Sequence, residues 1–307
     1  IAWNSTHFQS YFERFKFKYD WEFNNGLRLN AAFVHETNTG TGDLYFNTLR
    51  EWDDARNIQA DIQKNMNTYV PLDEIIQSNK IRYTEIQLGA EYQPGVKYLN
   101  TKNKRFLANR EAPIYGIKHT IGIKGFLGGD YNYNHTEFTL KKRFWLKSWG
   151  NIDAFHSAMF QWNTVPFQLL CLPQANPSYI RNDNTFSLIR NMEFLNDRSF
   201  AIMYRWNLNG KLLNRIPLIK KLKWRENIGF NMMWGYLSDK NNPFRFNDTE
   251  RYPDEASKMA DPGYEFLYNM PGEWVNMEDG TRQYQPITQI MNSWKPYVEL
   301  NIGLSNL

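Results

Sequence analysis

Between positions 15 and 33, apolar and polar residues alternate with a period of two. Phe15, Phe17, Tyr19, Trp21 and Phe23 are interleaved with Lys16, Lys18, Asp20 and Glu22; after Asn24-Asn25-Gly26 the beat resumes at Leu27, Leu29, Ala31 and Phe33. Successive side chains of an extended chain point to opposite faces, so this stretch predicts two strands with rings on one side and charges on the other. Asn-Asn-Gly tolerates the positive φ that a tight hairpin turn requires. A soluble sandwich also alternates, but its buried face is usually aliphatic. A face of aromatics opposite a face of charges suits a wall with lipid on one side and water on the other.

The same beat returns at 82–92, 114–123, 131–146, 152–162, 199–206, 222–234 and 296–304, about nine strands in all. Within them Phe17, Trp21, Leu88 and Phe138 are expected to face outward and to tolerate apolar exchange. Lys142 falls on the apolar side near a strand end, where its long stem can snorkel. In 36–80, Trp52, Ala55, Ile58, Ile62 and Met66 recur at helical spacing and predict a short helix packed on a loop. Strands of an up-and-down barrel alternate in direction, and outer-membrane barrels have short periplasmic turns and long outer loops. Nine strands put the longest connections, 36–80, 163–198 and 235–292, on one side together with 125–130. The shorter ones, 24–26, 93–113, 147–151 and 208–221, fall on the other. The fold class expected is all-β: a transmembrane antiparallel up-and-down β-barrel.

Composition agrees with that reading. The 307 residues include 11 Trp, 18 Tyr and 21 Phe, with 22% charged residues and a formal charge of +4. The mean hydropathy is −0.66. No run of about eighteen apolar residues exists, which excludes transmembrane helices and says nothing against strands. Excess Trp and Tyr suit interfacial girdles, where the ring is apolar and its polar edge stays near water. The single cysteine, Cys171, excludes an internal disulfide and a thiolate zinc site, and within Leu169-Leu170-Cys171-Leu172 it reads as a small apolar residue. The chain begins at Ile1, without Met or a signal peptide, and reads as a mature or partial chain.

Charge divides by side. Acids outnumber bases between 239 and 292, whereas 211–225 holds Lys211, Arg215, Lys220, Lys221, Lys223 and Arg225 and no acid. These six bases are the candidate patch at the inner interface, near anionic headgroups. Outer-membrane lipid and lipopolysaccharide are the expected partners, with other envelope proteins besides. Nucleic acid is not expected, because Leu212, Leu213, Ile216 and Ile219 suit membrane or rim packing better.

Chemistry is sparse. His7, His35, His119, His135 and His156 show no HExxH spacing, and His135 with Glu137 reads as a polar pair on one strand face. Gly125 to Gly129 lacks the Lys-Ser/Thr of a phosphate loop. Asp239-Lys240-Asn241 begins like a calcium loop, but Pro243 stands where a ligand belongs. No catalytic residue, metal site or cofactor is expected.

Several motifs carry a family resemblance. Leu208-Asn209-Gly210-Lys211-Leu212-Leu213-Asn214-Arg215-Ile216-Pro217, with Arg225-Glu226 beyond it, resembles the C-terminal barrel of a Bacteroidota outer-membrane family of unknown function. So do Thr164-Val165-Pro166-Phe167, Gly129-Asp130-Tyr131-Asn132-Tyr133 and the stretch from Phe186-Ser187-Leu188 to Asp197-Arg198. In that family the barrel follows an N-terminal carboxypeptidase-regulatory-like sandwich, which implies no peptidase. More distantly, the chain is similar to the sixteen-stranded barrels of surface antigens, outer-membrane assembly factors and two-partner secretion translocators. These have a long outer loop that folds into the lumen, with Arg-Gly near its tip. Leu188-Ile189-Arg190-Asn191 occupies that place, with Asn191 for the glycine. Arg190 and Asp197 are therefore the candidate loop anchors, Arg190 pairing with an acidic strand residue.

The resemblance implies that residues 1–307 are the C-terminal part of a sixteen-stranded barrel domain, lacking an N-terminal domain and about two closing strands. The function expected is that of a non-enzymatic barrel in the outer membrane of a Gram-negative bacterium, in envelope biogenesis or as a surface scaffold. A passive or gated small-solute channel and a soluble β-rich glycan-binding protein are the alternatives.

Overall fold

The computed structural model describes residues 8–42, 44–76, 79–102, 105–176, 182–190, 192–266, 272–277, 280–291 and 294–305. Nine strands form one antiparallel sheet in sequence order. They are β1 (Phe8–Glu22), β2 (Leu27–Gly42), β3 (Lys80–Tyr92), β4 (Ile114–Gly122) and β5 (Tyr133–Trp145). Then follow β6 (Asn151–Gln161), β7 (Arg198–Asn207), β8 (Arg225–Tyr236) and β9 (Tyr297–Ser305). This is the expected all-β, up-and-down architecture. β1 and β9 are the two edges, and the sheet does not close among the described residues.

The first hairpin shows why the register holds. Phe17 lies opposite Phe33 and Trp21 opposite Leu29, so aromatic and aliphatic partners share one face across the ladder. Gly26 closes the turn at φ 85°, and a Cβ there would run into the Gln93 carbonyl. Both strands are longer than the hydrophobic pattern implies: β2 continues through Glu36-Thr37-Asn38-Thr39 to Gly42, opposite Phe8 to Arg14. That polar stretch looks like loop in the sequence but is held as strand by pairing. Glu36 is 3% exposed and accepts from Arg14, Asn38 and the Tyr83 hydroxyl.

The connection that follows therefore spans 43–79. Its helix, α1 (Leu49–Met66), is a full 18 residues, not the short one expected. Thr48 and Glu51 form a reciprocal capping box at its start, and Asn67 in the left-handed region ends it. Trp52 and Ala55 are buried, while Ile58 and Met66 stay exposed. None of the helices of the described residues is long and apolar enough to cross a membrane.

The two faces of the sheet differ in an unusual sense. On one face, Phe17 is 65% exposed, Leu88 48% and Phe138 45%, and Trp21 is exposed with them. No second layer covers these rings among the described residues, unlike the core face of a sandwich. The opposite face carries Glu36, Glu85, Thr120, Ser157, Gln161, Asn231 and Glu299, all buried. The covered face is polar and the bare face apolar, the reverse of a soluble sheet.

Connections 43–79, 123–132, 162–197 and 237–296 all leave one end of the sheet, as the length pattern implied. They pack on each other there: Leu44, Phe46, Val165, Phe167, Leu170, Leu195 and Leu237 form a core with Ile81 and Tyr133 from strand ends.

Candidate functional site

The segment 162–197 is the structural feature that gives the covered face its character. It leaves β6, buries Val165, Phe167 and Leu170 in the loop core, and then descends along the sheet. Phe186 and Ile189 pack on Ala201 and Met203 of β7 and Met233 of β8. Phe186 also meets Tyr297 of β9 edge to face at 5.9 Å. Its backbone exchanges hydrogen bonds with the earlier limb of the same loop, Phe186 N–H to Gln174 O at 2.9 Å and Asn176 N–H to Phe186 O at 2.8 Å. Among the described residues of the loop, Asp183 forms an ion pair with Arg205 of β7. Arg205 lies opposite Asp153, near the start of β6 at the short-connection end. From Arg198 to Arg205 the loop has followed β7 for roughly 20 Å.

Glu299 on β9 anchors this descent. Its carboxylate accepts the Leu188 N–H at 2.6 Å and the Ser187 N–H at 3.0 Å. The Tyr297 hydroxyl donates to it at 3.0 Å and Asn231 Nδ2 at 3.3 Å. A carboxylate 2% exposed with four donors is fully occupied, and such charge-assisted bonds are stronger than neutral ones. Asn231 also donates to the Thr185 carbonyl at 3.3 Å, extending the clamp by a turn of chain.

The expected anchors behave differently. Arg190 is exposed and pairs with no carboxylate among the described residues; its backbone N–H donates to Glu193 at 2.8 Å. Asn191 lies outside the described residues. The strand acid Glu299 is held instead by the loop backbone, two and three residues before Arg190. Asp197 is buried, but it holds another loop: the Ser238 N–H donates to it at 3.2 Å, Asn241 Nδ2 at 3.1 Å, and the Ser238 hydroxyl as well. Glu299 was legible in principle, as the one acid at an inward position of Tyr297-Val298-Glu299-Leu300.

Beside the Asp183–Arg205 pair remains a cavity of about 300 Å³ lined by Arg143, Asp153, Asp183, Arg205 and Lys141. Its charges are largely paired: Arg143 holds Asp153 through Nη2 at 2.8 Å, and Arg205 holds Asp183. Elsewhere on this face His135 contacts Gln161 at 3.3 Å while Glu137 pairs with Lys118 at 2.6 Å. Cys171 is buried in the loop, its N–H on the Asn196 carbonyl at 2.7 Å. Burial pushes its thiol up to about 12, with the Asp197 carboxylate adding to the shift.

The six bases gather on the short-connection rim, in 208–224 and the start of β8. Arg215, Lys220, Lys221, Lys223 and Arg225 are exposed. Lys211 places Nζ 5.3 Å from the centre of the Trp149 ring and 3.2 Å from Ser148 Oγ. Glu226, the next acid in sequence, is buried beneath the segment and accepts the Leu212 N–H at 3.0 Å and the Leu213 N–H. On the opposite rim the calcium-like sequence carries its own cations: Arg251 bonds Asp239 at 2.9 Å and Arg245 bonds Asp261 at 2.7 Å.

No curated protein matches the sequence. Among solved structures, the chain is similar to BamA from Haemophilus ducreyi lacking POTRA domains 1–3, with a TM-score of 0.49 and 8% identity. The alignment covers 97% of this chain and 48% of that one, so this chain spans about half its length. Residues 5–242, most of the sequence, match the family described as "Family of unknown function (DUF5686) C-terminal domain", and the chain belongs to that family.

Proposed function

We propose that this chain is part of the wall, together with the internal plug, of a non-enzymatic β-barrel in the outer membrane of a Gram-negative bacterium. Its role in this reading is envelope biogenesis or a surface scaffold, with outer-membrane lipid, lipopolysaccharide and other envelope proteins as partners. The Bacteroidota source, the surface-antigen likeness and the N-terminal sandwich belong to the same reading.

The observation that carries it is the polarity of the sheet. Hydrocarbon cannot satisfy polar groups, so a strand wall in lipid must put apolar side chains outward and close its hydrogen bonds within the sheet. Rings at 17, 21 and 138 stand bare on one face, while Glu36, Glu85 and Glu299 are buried and bonded on the other. Strands of 9 to 16 residues meet or exceed the nine to eleven or so that a tilted crossing needs. In this reading 162–197 occupies the lumen, which favours a scaffold or biogenesis role over an open pore.

Fractionation tests the membrane reading: the protein should resist carbonate extraction and require detergent, and release without detergent would refute it. Accumulation of unassembled outer-membrane proteins on depletion would support biogenesis, and normal assembly would leave the scaffold role. The charged cavity beside Asp183 and Arg205 favours a second reading, a gated small-solute channel. Steady conductance of the unaltered protein in planar bilayers would favour it over the plug.

A further inference from the structure

On the bare face, towards the short-connection end, lies an apolar groove of about 370 Å³. Phe144, Ile152, Tyr204, Trp206 and Phe230 surround Ala154, whose small side chain leaves the space between them. That volume falls in the range of small-molecule sites, and the lining calls for hydrocarbon. Trp206 ties the groove to the rim: its indole N–H donates to the Trp149 carbonyl at 2.9 Å, and the two rings lie 6.1 Å apart. Above Trp149 sit the Lys211 ammonium and the Ser148 hydroxyl, 3.2 Å from each other. Lys211 opens the acid-free run of six bases, and Leu212, Ile216, Leu218 and Leu222 between those bases are exposed. The groove thus has a cation and a hydroxyl at one end and is apolar along the rest.

We infer that this is a binding site for one anionic glycerophospholipid. Its acyl chain lies along Ala154 between Phe144 and Phe230, and its phosphate meets Lys211 and Ser148. The tail fits because the lining is apolar and its two polar atoms, the Tyr204 hydroxyl and the Trp206 N–H, are already bonded to His156 and the Trp149 carbonyl. The head fits because the rim is cationic and the next acid in sequence, Glu226, is buried beneath it with Oε1 accepting the Leu212 and Leu213 amides. The inference rests on the membrane reading above, and it narrows the rim from six bases to one lysine with a defined partner.

The test uses the full chain in detergent, stripped of lipid and offered phosphatidylglycerol or phosphatidylcholine of the same chains, with native mass spectrometry as the readout. The unaltered protein should retain phosphatidylglycerol in preference. A single lysine near an anionic surface is worth about five-fold in binding, so Lys211→Gln should lower phosphatidylglycerol retention by about that factor and leave phosphatidylcholine unchanged. Ala154→Phe, which fills the groove, should lower both; if that variant misfolds, Ile228→Trp on the same wall replaces it. Equal retention of the two lipids, or no effect of Lys211→Gln, would overturn the inference while leaving the membrane reading intact. A protein that needs no detergent and retains neither lipid would overturn both.

Discussion

Replacing Glu299 by Ala isolates the clamp on the descending loop. The substitution removes two charge-assisted bonds, to the Ser187 and Leu188 amides, without touching the ladder in which residue 299 faces Asn231. Each such bond contributes about 1.5–3 kcal/mol, so the loop should lose at least about 3 kcal/mol of local stability. Tyr297 and Asn231 lose their acceptor too, which makes that figure a lower bound. A change of about 3 kcal/mol is roughly a hundredfold in a local opening equilibrium. Hydrogen exchange on the reconstituted protein reads it directly: protection at 187 and 188 should fall by about that factor, while Met203 in mid-β7 should exchange as before. If the lumen is closed by this loop, planar-bilayer conductance should rise in the same variant. Unchanged protection at 187 and 188 would refute the assignment of Glu299 as the anchor, whatever the conductance does.

Further outcomes are open to measurement. Phe138, near the middle of β5 and beside Ala158 and Ile117, should accept Leu with little change, whereas Phe138→Asp should cost about 2 kcal/mol and lower the folded yield in bilayers; an unchanged yield would count against its facing lipid. With its thiol pushed up to about 12, Cys171 should resist iodoacetamide at about pH 8 and react only on unfolding. Ready alkylation of the folded protein would contradict the burial. Burial alone would raise the Asp261 carboxyl, but Tyr252, the Gly263 N–H, Arg245 and Arg251 together hold it below the usual carboxylate range. A depressed native value stabilises above the unfolded value of about 3.9 and is lost as pH falls through the native one. Asp261→Asn should therefore loosen the Phe246–Tyr252–Tyr264 core at neutral pH, and the difference from the unaltered protein should vanish in acid. Near-UV circular dichroism checks this, and a gap that persists at about pH 2 would refute it.

The sequence alone determined the strands, their order and which way each side chain points. Alternation is a local property, and Phe17, Leu88 and Phe138 could face only one way once their strands were extended. It determined the side of the long loops as well, because direction alternates strand by strand. What only the tertiary structure decided was how far the pairing runs and what holds the plug. Polar residues 36–39 became strand because β1 was there to bond them and Arg14 and Tyr83 to occupy Glu36. Glu299 became the anchor because folding brought Ser187, 112 positions away in sequence, against β9. No periodicity encodes such a meeting: a buried carboxylate is stable only where donors converge on it, and three of the four on Glu299 come from distant segments of the chain.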